Sequence, residues 1–100
     1  MRIIAKKALR DFWEKHTDSE QPLKAWFQEA NKAEWASFHE IQAKYSRASA
    51  VGSDRVVFRI KGNQYRLIVR INYEAGLIHI KFIGTYAEYD QINAATVNDF

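Results

Sequence analysis

The chain has 100 residues, 47% of them apolar and 14% aromatic, with one proline, four glycines and no cysteine. That composition excludes a disordered segment, disulfides, thiolate nucleophiles and cysteine-ligated zinc, and the length suits one hydrophobic core, so a single domain over residues 1–100 is expected. The net charge of +3 says little about partners by itself.

At the amino terminus, "MRIIAKKALRDFW" places Lys6, Lys7 and Arg10 where a secretion signal would need an unbroken apolar run. No stretch of the chain nears the roughly 18 apolar residues of a membrane span. A cytoplasmic protein without membrane contact is expected. After a short "RII" strand, Ala5, Ala8, Leu9, Phe12 and Trp13 recur at helical spacing, which predicts a first helix from about Ala5 to Lys15. Thr17 or Ser19 can cap a second helix, with Pro22 in its first turn and Leu23, Trp26, Phe27 and Ala30 on its apolar face. "SFHE" reads as a capping box from Ser37 to Glu40, opening a third helix with Phe38, Ile41 and Tyr45 inside. Trp13, Trp26, Phe27 and Trp35 at this spacing are core residues. His16 and His39 lack a third ligand at a recognisable spacing, so no metal or other cofactor is expected.

"SRASAVGSD" breaks the helical pattern and reads as the connection between a helical half, about residues 1–46, and a strand-rich half, about 54–100. In the second half Val56, Phe58 and Ile60 alternate with Arg55, Val57, Arg59 and Lys61. "GN" then turns the chain, and Tyr65, Leu67, Val69 and Ile71 alternate with Arg66, Ile68, Arg70 and Asn72. A turn at Gly62-Asn63 pairs Phe58 with Leu67, Val56 with Val69 and Arg59 with Arg66. A second reversal at "YEAG" brings Ile78, Ile80 and Phe82 to the apolar face and His79 and Lys81 to the other; pairing of Asn72 with Leu77 or a tighter turn both satisfy this parity. The expected fold is α+β, with N-terminal helices packed on one face of a small antiparallel sheet.

Charge separates the two faces further. Up to Ser53 nine basic residues mix with seven acidic ones, whereas from Arg55 to Ile83 six basic residues accompany Glu74 alone. Arg55, Arg59, Lys61, Arg66, Arg70 and Lys81, with His79, therefore fall on the sheet face away from the helices. Opposed arginines such as Arg59 and Arg66 cost stability, and solubility is served by mixed signs, so an anion-binding face is the better reading. Guanidinium groups suit phosphate bidentately. Phe58, Tyr65 and Phe82 point inward by this register, leaving a clamp for phosphates without stacking aromatics.

Helices followed by "VVFRIKGNQYRLIVRINY" and "IHIKFIGTYAEYDQI" resemble the HigB-type toxins of the RelE superfamily. The likeness is most specific in "FRIKGNQYRL", Phe58 to Leu67, and in "FIGTYAEYD", Phe82 to Asp90. It implies an endoribonuclease that cleaves messenger RNA, usually on the ribosome. It implies also a helix-turn-helix antitoxin of the HigA type as partner, with operator DNA bound only through that antitoxin. RNA cleavage without a metal requires that the ribose 2′-OH lose a proton and attack the adjacent phosphorus, that the leaving 5′-oxygen gain one, and that cations stabilise the phosphorane. Arg66, on the polar face and inside "GNQYRL", is the first candidate for the last task, with Arg55, Arg59, Lys61, Arg70 and Lys81 as further phosphate contacts.

Family members usually carry histidine after the threonine, where this chain has Tyr86. A phenol has an ordinary pKa of about 10, so Tyr86 is either a tyrosine acidified by arginines, a general acid, or the mark of a relative that binds RNA and antitoxin without cleaving. Tyr89 is a second candidate in the same turn, and its alternative is to anchor that turn. His79 is another source of proton transfer, and Glu88 and Asp90 either cap the terminal turn or pair with arginines. The gyrase-poisoning ParE branch shares the architecture, but "GTYAEYD" and "GNQYRL" favour the RNA-directed readings.

Overall fold

The computed structural model describes residues 1–100. Strand β1 (Arg2–Ile4) leads into α1 (Lys6–Lys15), a single 3-10 turn (Thr17–Ser19), α2 (Glu20–Lys32) and α3 (Phe38–Lys44). The strands β2 (Ser49–Val51), β3 (Arg55–Ile60), β4 (Tyr65–Asn72) and β5 (Leu77–Thr85) follow, then one turn of helix, α4 (Tyr86–Tyr89). The sheet order is β1-β5-β4-β3-β2, antiparallel except that β1 runs parallel to β5. The fold is α+β, as expected, with β1 making the sheet mixed.

The helices form where apolar spacing allows one face to be buried. Ala8, Leu9 and Trp13 of α1 and Leu23, Trp26 and Ala30 of α2 meet Val56, Phe58, Leu67, Val69, Ile71, Ile78 and Ile80 of the sheet in one core. Trp26 packs edge-on against Phe58 at 5.4 Å between ring centres. Truncating a side chain of that size in a closed core costs about 3–5 kcal/mol. The second-helix cap is Ser19, but its hydroxyl donates back to the His16 carbonyl at 2.6 Å instead of accepting from α2.

Two local readings are corrected. Ser37 precedes α3 without a side-chain cap bond, so no capping box forms there. The segment read as a plain connection contains β2, whose Ser49, Ala50 and Val51 pair with Val57, Val56 and Arg55. Its polar, alanine-rich sequence hides a short edge strand because the partner strand supplies the hydrogen bonds.

The β3–β4 register is the expected one, with Phe58 opposite Leu67, Val56 opposite Val69 and Arg59 opposite Arg66. The connecting turn has Lys61 and Gly62 at positive φ, 53° and 64°, and is closed by the Gln64 amide donating to the Lys61 carbonyl at 3.2 Å. At the second hairpin Asn72 pairs with Leu77. Farther along, however, Val69 pairs with Ile80 and Ile68 with Phe82, so Lys81 is an extra residue in β5. This bulge reverses the facing of everything after it. Phe82, expected inward, joins Val57 and Ile68 in a small cluster on the opposite face, while Ile83 enters the main core.

Candidate functional site

The face away from the helices is built in three cross-strand rows. Arg59, Arg66 and Gly84 form one end, Val57, Ile68 and Phe82 the middle, and Arg55, Arg70 and His79 the other end. The middle row is apolar and is covered by Tyr89, Ile92, Ala94 and Val97 of the chain beyond β5. The one cation-bearing face expected from alternation is therefore divided into two separate ends.

At the Arg55 end every cation has a partner. Arg55 donates to the carbonyls of Ala94 and Val97 at 3.1 and 2.7 Å, holding the C-terminal segment across the sheet. Arg70 pairs with Asp54 at 2.8 Å. Lys81 donates to the Asn98 side chain at 3.0 Å, and the Asp99 amide to the Lys81 carbonyl. His79 lies opposite Arg70, four residues along β4 from Arg66, or about 13 Å at the usual strand rise. Lys61, on the turn, pairs with Asp18 of the helical layer at 2.7 Å.

At the other end three guanidinium groups meet without a carboxylate. Arg59 donates to Asn63 Oδ1 at 2.8 Å, Arg47 to the same oxygen at 3.3 Å and Arg66 at 3.5 Å. Arg66 also donates to the backbone carbonyl of Asn63 at 2.8 Å and more weakly to that of Tyr65 at 3.4 Å. Arg66 is 5% exposed, and burial, followed by the neighbouring Arg59, lowers its pKa from the ordinary value. The guanidinium carbon lies 4.8 Å from the centre of the Tyr86 ring and 5.7 Å from that of Tyr89. Cation–π attraction of about 0.5–2 kcal/mol per ring offsets part of the desolvation cost. Of Arg66's five N–H donors, Nε has no acceptor.

The tyrosine-bearing turn is fixed by its own sequence. Thr85 Oγ1 accepts from the Glu88 amide at 3.2 Å, and Glu88 Oε1 accepts from the Thr85 amide at 2.8 Å. This is the reciprocal capping box, formed at Thr85–Glu88 and not at Ser37–Glu40. Glu88 is thereby occupied as a cap and leaves the arginines unpaired. Tyr86 is half-exposed over Arg66, whereas Tyr89 is partly buried and also packs on the apolar row. Gly84, near the end of β5, leaves room for Phe82, since a Cβ there would stand 2.5 Å from Phe82 Cζ.

Residues 19–92 match the HigB toxin family, described as the RelE-like toxic component of a toxin-antitoxin system. The chain belongs to this family. Among curated proteins no individual relative matches it. As the toxic member of such a system, a HigB-family chain goes with an antitoxin partner. No helix is long and apolar enough to cross a membrane.

Within this toxin the fold thus brings Arg66, Tyr86, Tyr89 and Arg59 together and keeps Arg55, Lys61, Arg70, His79 and Lys81 elsewhere. It adds Arg47 and Asn63, which alternation along strands does not single out. The signal for Asn63 is the "GN" turn itself, since a turn between two arginine-bearing strands places its second residue above both. For Arg47 the signal is weaker, a lone cation just before the edge strand that pairs with β3. His16, set aside as a ligand, stacks on Phe12 at 4.4 Å.

Proposed function

We propose that this HigB-family toxin is an endoribonuclease that cleaves messenger RNA on the ribosome by attack of a ribose 2′-OH on the adjacent phosphate, with Arg66, Tyr86 and Tyr89 as its working residues. One observation carries the reading: Arg47, Arg59 and Arg66 converge on a single amide oxygen with no carboxylate among them, beside two tyrosines. Three cations with no carboxylate in salt-bridge contact suit an anion, and phosphate is the anion that guanidinium groups fit best. Arg66 Nε, which has no acceptor within the protein, is the donor available to a non-bridging phosphate oxygen. It would stabilise the phosphorane, where charge accumulates.

The half-exposed phenol of Tyr86 stands beside that position and serves as proton donor to the leaving 5′-oxygen, a task for which the protonated form is the needed one. Tyr89, its ring centre 5.7 Å from the Arg66 guanidinium carbon, helps to hold the guanidinium in place. The 2′-OH proton passes to water as the oxygen attacks, and the products are a 2′,3′-cyclic phosphate and a 5′-hydroxyl. No step assigned to these residues calls for a metal, so cleavage persists in EDTA. The whole chain acts as one toxin domain in the cytoplasm, and its antitoxin is of the helix-turn-helix HigA type, which alone of the pair contacts operator DNA.

A second reading has its own observation. With Tyr86 lying on its guanidinium, Arg66 is only 5% exposed, which suits a closed site that binds antitoxin and RNA without cutting. One experiment separates the two. Primer extension on messages after induction shows new 5′ ends with the protein as written and none with Arg66→Ala if the toxin cleaves. Intact transcripts with the protein as written, and cleavage restored by Tyr86→His, establish the second reading instead.

A further inference from the structure

Next to the Arg66 corner, the loop after α3 and the β3–β4 turn enclose a cleft of about 260 Å³, lined by Lys44, Ser46, Arg47, Ala48, Arg59 and Gly62. Three of these are cations, and none of its lining residues is acidic. Lys44 leans toward Glu29 at 3.6 Å, with more than half of its side chain exposed, and Arg47 has no bond but the one to Asn63. The Arg47 and Arg66 nitrogens touching Asn63 Oδ1 are no farther apart than those two contacts laid end to end, 3.3 and 3.5 Å. The cleft is therefore contiguous with the Arg66 corner and separated from it only by an amide side chain on an exposed turn.

Resting on the reading of the Arg66 corner as a site for RNA, we infer that this cleft is a second phosphate subsite, which takes the phosphodiester next to the one held by Arg66. Arg47 and Arg59 are its direct ligands. Asn63 Oδ1 occupies the place of a phosphate oxygen in the free protein: it presents one acceptor to guanidinium groups that a phosphate would satisfy with more charge and more lone pairs. On binding, the Asn63 amide is displaced and the two guanidiniums close on the RNA backbone. Tyr45, the one aromatic residue of the cleft, is turned away into the core against Phe58 and Trp35. Hence the subsite grips backbone and offers no stacking surface, so it adds affinity without base preference.

The test uses the full-length toxin and a single-stranded RNA octamer with 2′-O-methyl riboses, which cannot be cut. A set of octamers carries a neutral methylphosphonate at each linkage in turn, and binding is read by fluorescence anisotropy across a salt series. Arg47→Gln is expected to weaken binding roughly tenfold and to lower the salt slope by about one phosphate contact. One neutral linkage should weaken the unaltered protein similarly and have no further effect on Arg47→Gln. A different linkage should show the same relation to Arg66→Lys. Arg47 is exposed on a loop, so its substitution leaves the fold intact, as circular dichroism will confirm. If Arg47→Gln binds every octamer like the unaltered protein while Arg66→Lys loses affinity, the second subsite is overturned and the RNA reading stands. If neither protein distinguishes any octamer and none binds, both fall together.

Discussion

At one end of the outer sheet face Arg55 stands opposite Arg70 across β3 and β4; at the other, Arg59 stands opposite Arg66. Each pair of like charges costs a few tenths of a kcal/mol, by the usual size of cross-strand effects. The Arg55 end removes the cost, through Asp54 and two backbone carbonyls. The Arg66 end adds to it, by drawing Arg47 to the same amide oxygen and burying Arg66. One strand pair thus carries both arginines with protein partners that offset the repulsion and arginines that share a single neutral amide oxygen. The difference lies in what sits opposite the cations and not in the cations themselves.

The comparison is broken most directly at its two central arginines. Arg66→Ala should abolish growth arrest and reduce cleavage by about 10²–10³-fold, the effect of losing a donor aimed at transition-state charge. Arg70→Ala should leave cleavage unchanged and alter stability by no more than about 1 kcal/mol, as for exposed ion pairs. Primer extension and thermal unfolding on both variants decide it. Equal losses of cleavage would mean that the face works as one charged surface.

Much of this division was legible in the sequence, and the reason it was not fully so is local. Alternation and the "GN" turn gave the β3–β4 register residue by residue, because a slip of one would have buried arginines. The same alternation misassigned Phe82, since a bulge inserts its extra residue without any break in the pattern of Ile80, Lys81, Phe82, Ile83. Val57 and Ile68 were visible as apolar interruptions of the charged face, but the segment that covers them lies far along the chain. The two T/S-x-x-E patterns look alike. Only Thr85–Glu88 closes, where the strand end points the hydroxyl at the next turn. Arg47 reaches the site through the pairing of β2 with β3, a long-range fact that no local pattern encodes.

Gly84 sharpens the comparison by testing the boundary between the arginine corner and the apolar row. Gly84→Ala places a methyl 2.5 Å from Phe82 Cζ, so it should destabilise by about 1–3 kcal/mol, as overpacked sites do. The displaced Phe82 would disturb Tyr89 and with it the packing on Arg66, so cleavage should fall as well. A variant as stable as the original would show that Phe82 yields freely. At the opposite end Arg55→Ala should cost about 1 kcal/mol, from two lost bonds to carbonyls, and release the C-terminal segment. Faster amide exchange at Val97 to Asp99, with cleavage retained, is the expected signature. Loss of cleavage would place the segment in the site's support.

The smallest effect concerns how the arginine corner is tied to the helical layer. Asp18 accepts hydrogen bonds from Lys61 at 2.7 Å and from the Tyr65 hydroxyl, and so pins the turn that carries Asn63. These two bonds hold the Asp18 carboxyl below its ordinary value of 3.8, and the bond to Asp18, with burial, raises Tyr65 above 10.0. The stabilisation from Asp18 is therefore complete above pH 3.8 and lost as the pH falls through its lower folded value. That from Tyr65 is complete below pH 10.0 and lost as the pH rises through its higher folded value. Asp18→Ala should remove the acid-side component from unfolding curves and bring one late tyrosine forward in an absorbance titration. Cleavage should drop only slightly, because Arg66 keeps its bonds to the Asn63 and Tyr65 carbonyls. Were the late tyrosine to stay late in the variant, the turn would be held by something other than Asp18, and the arginine corner would owe its position to the sheet alone.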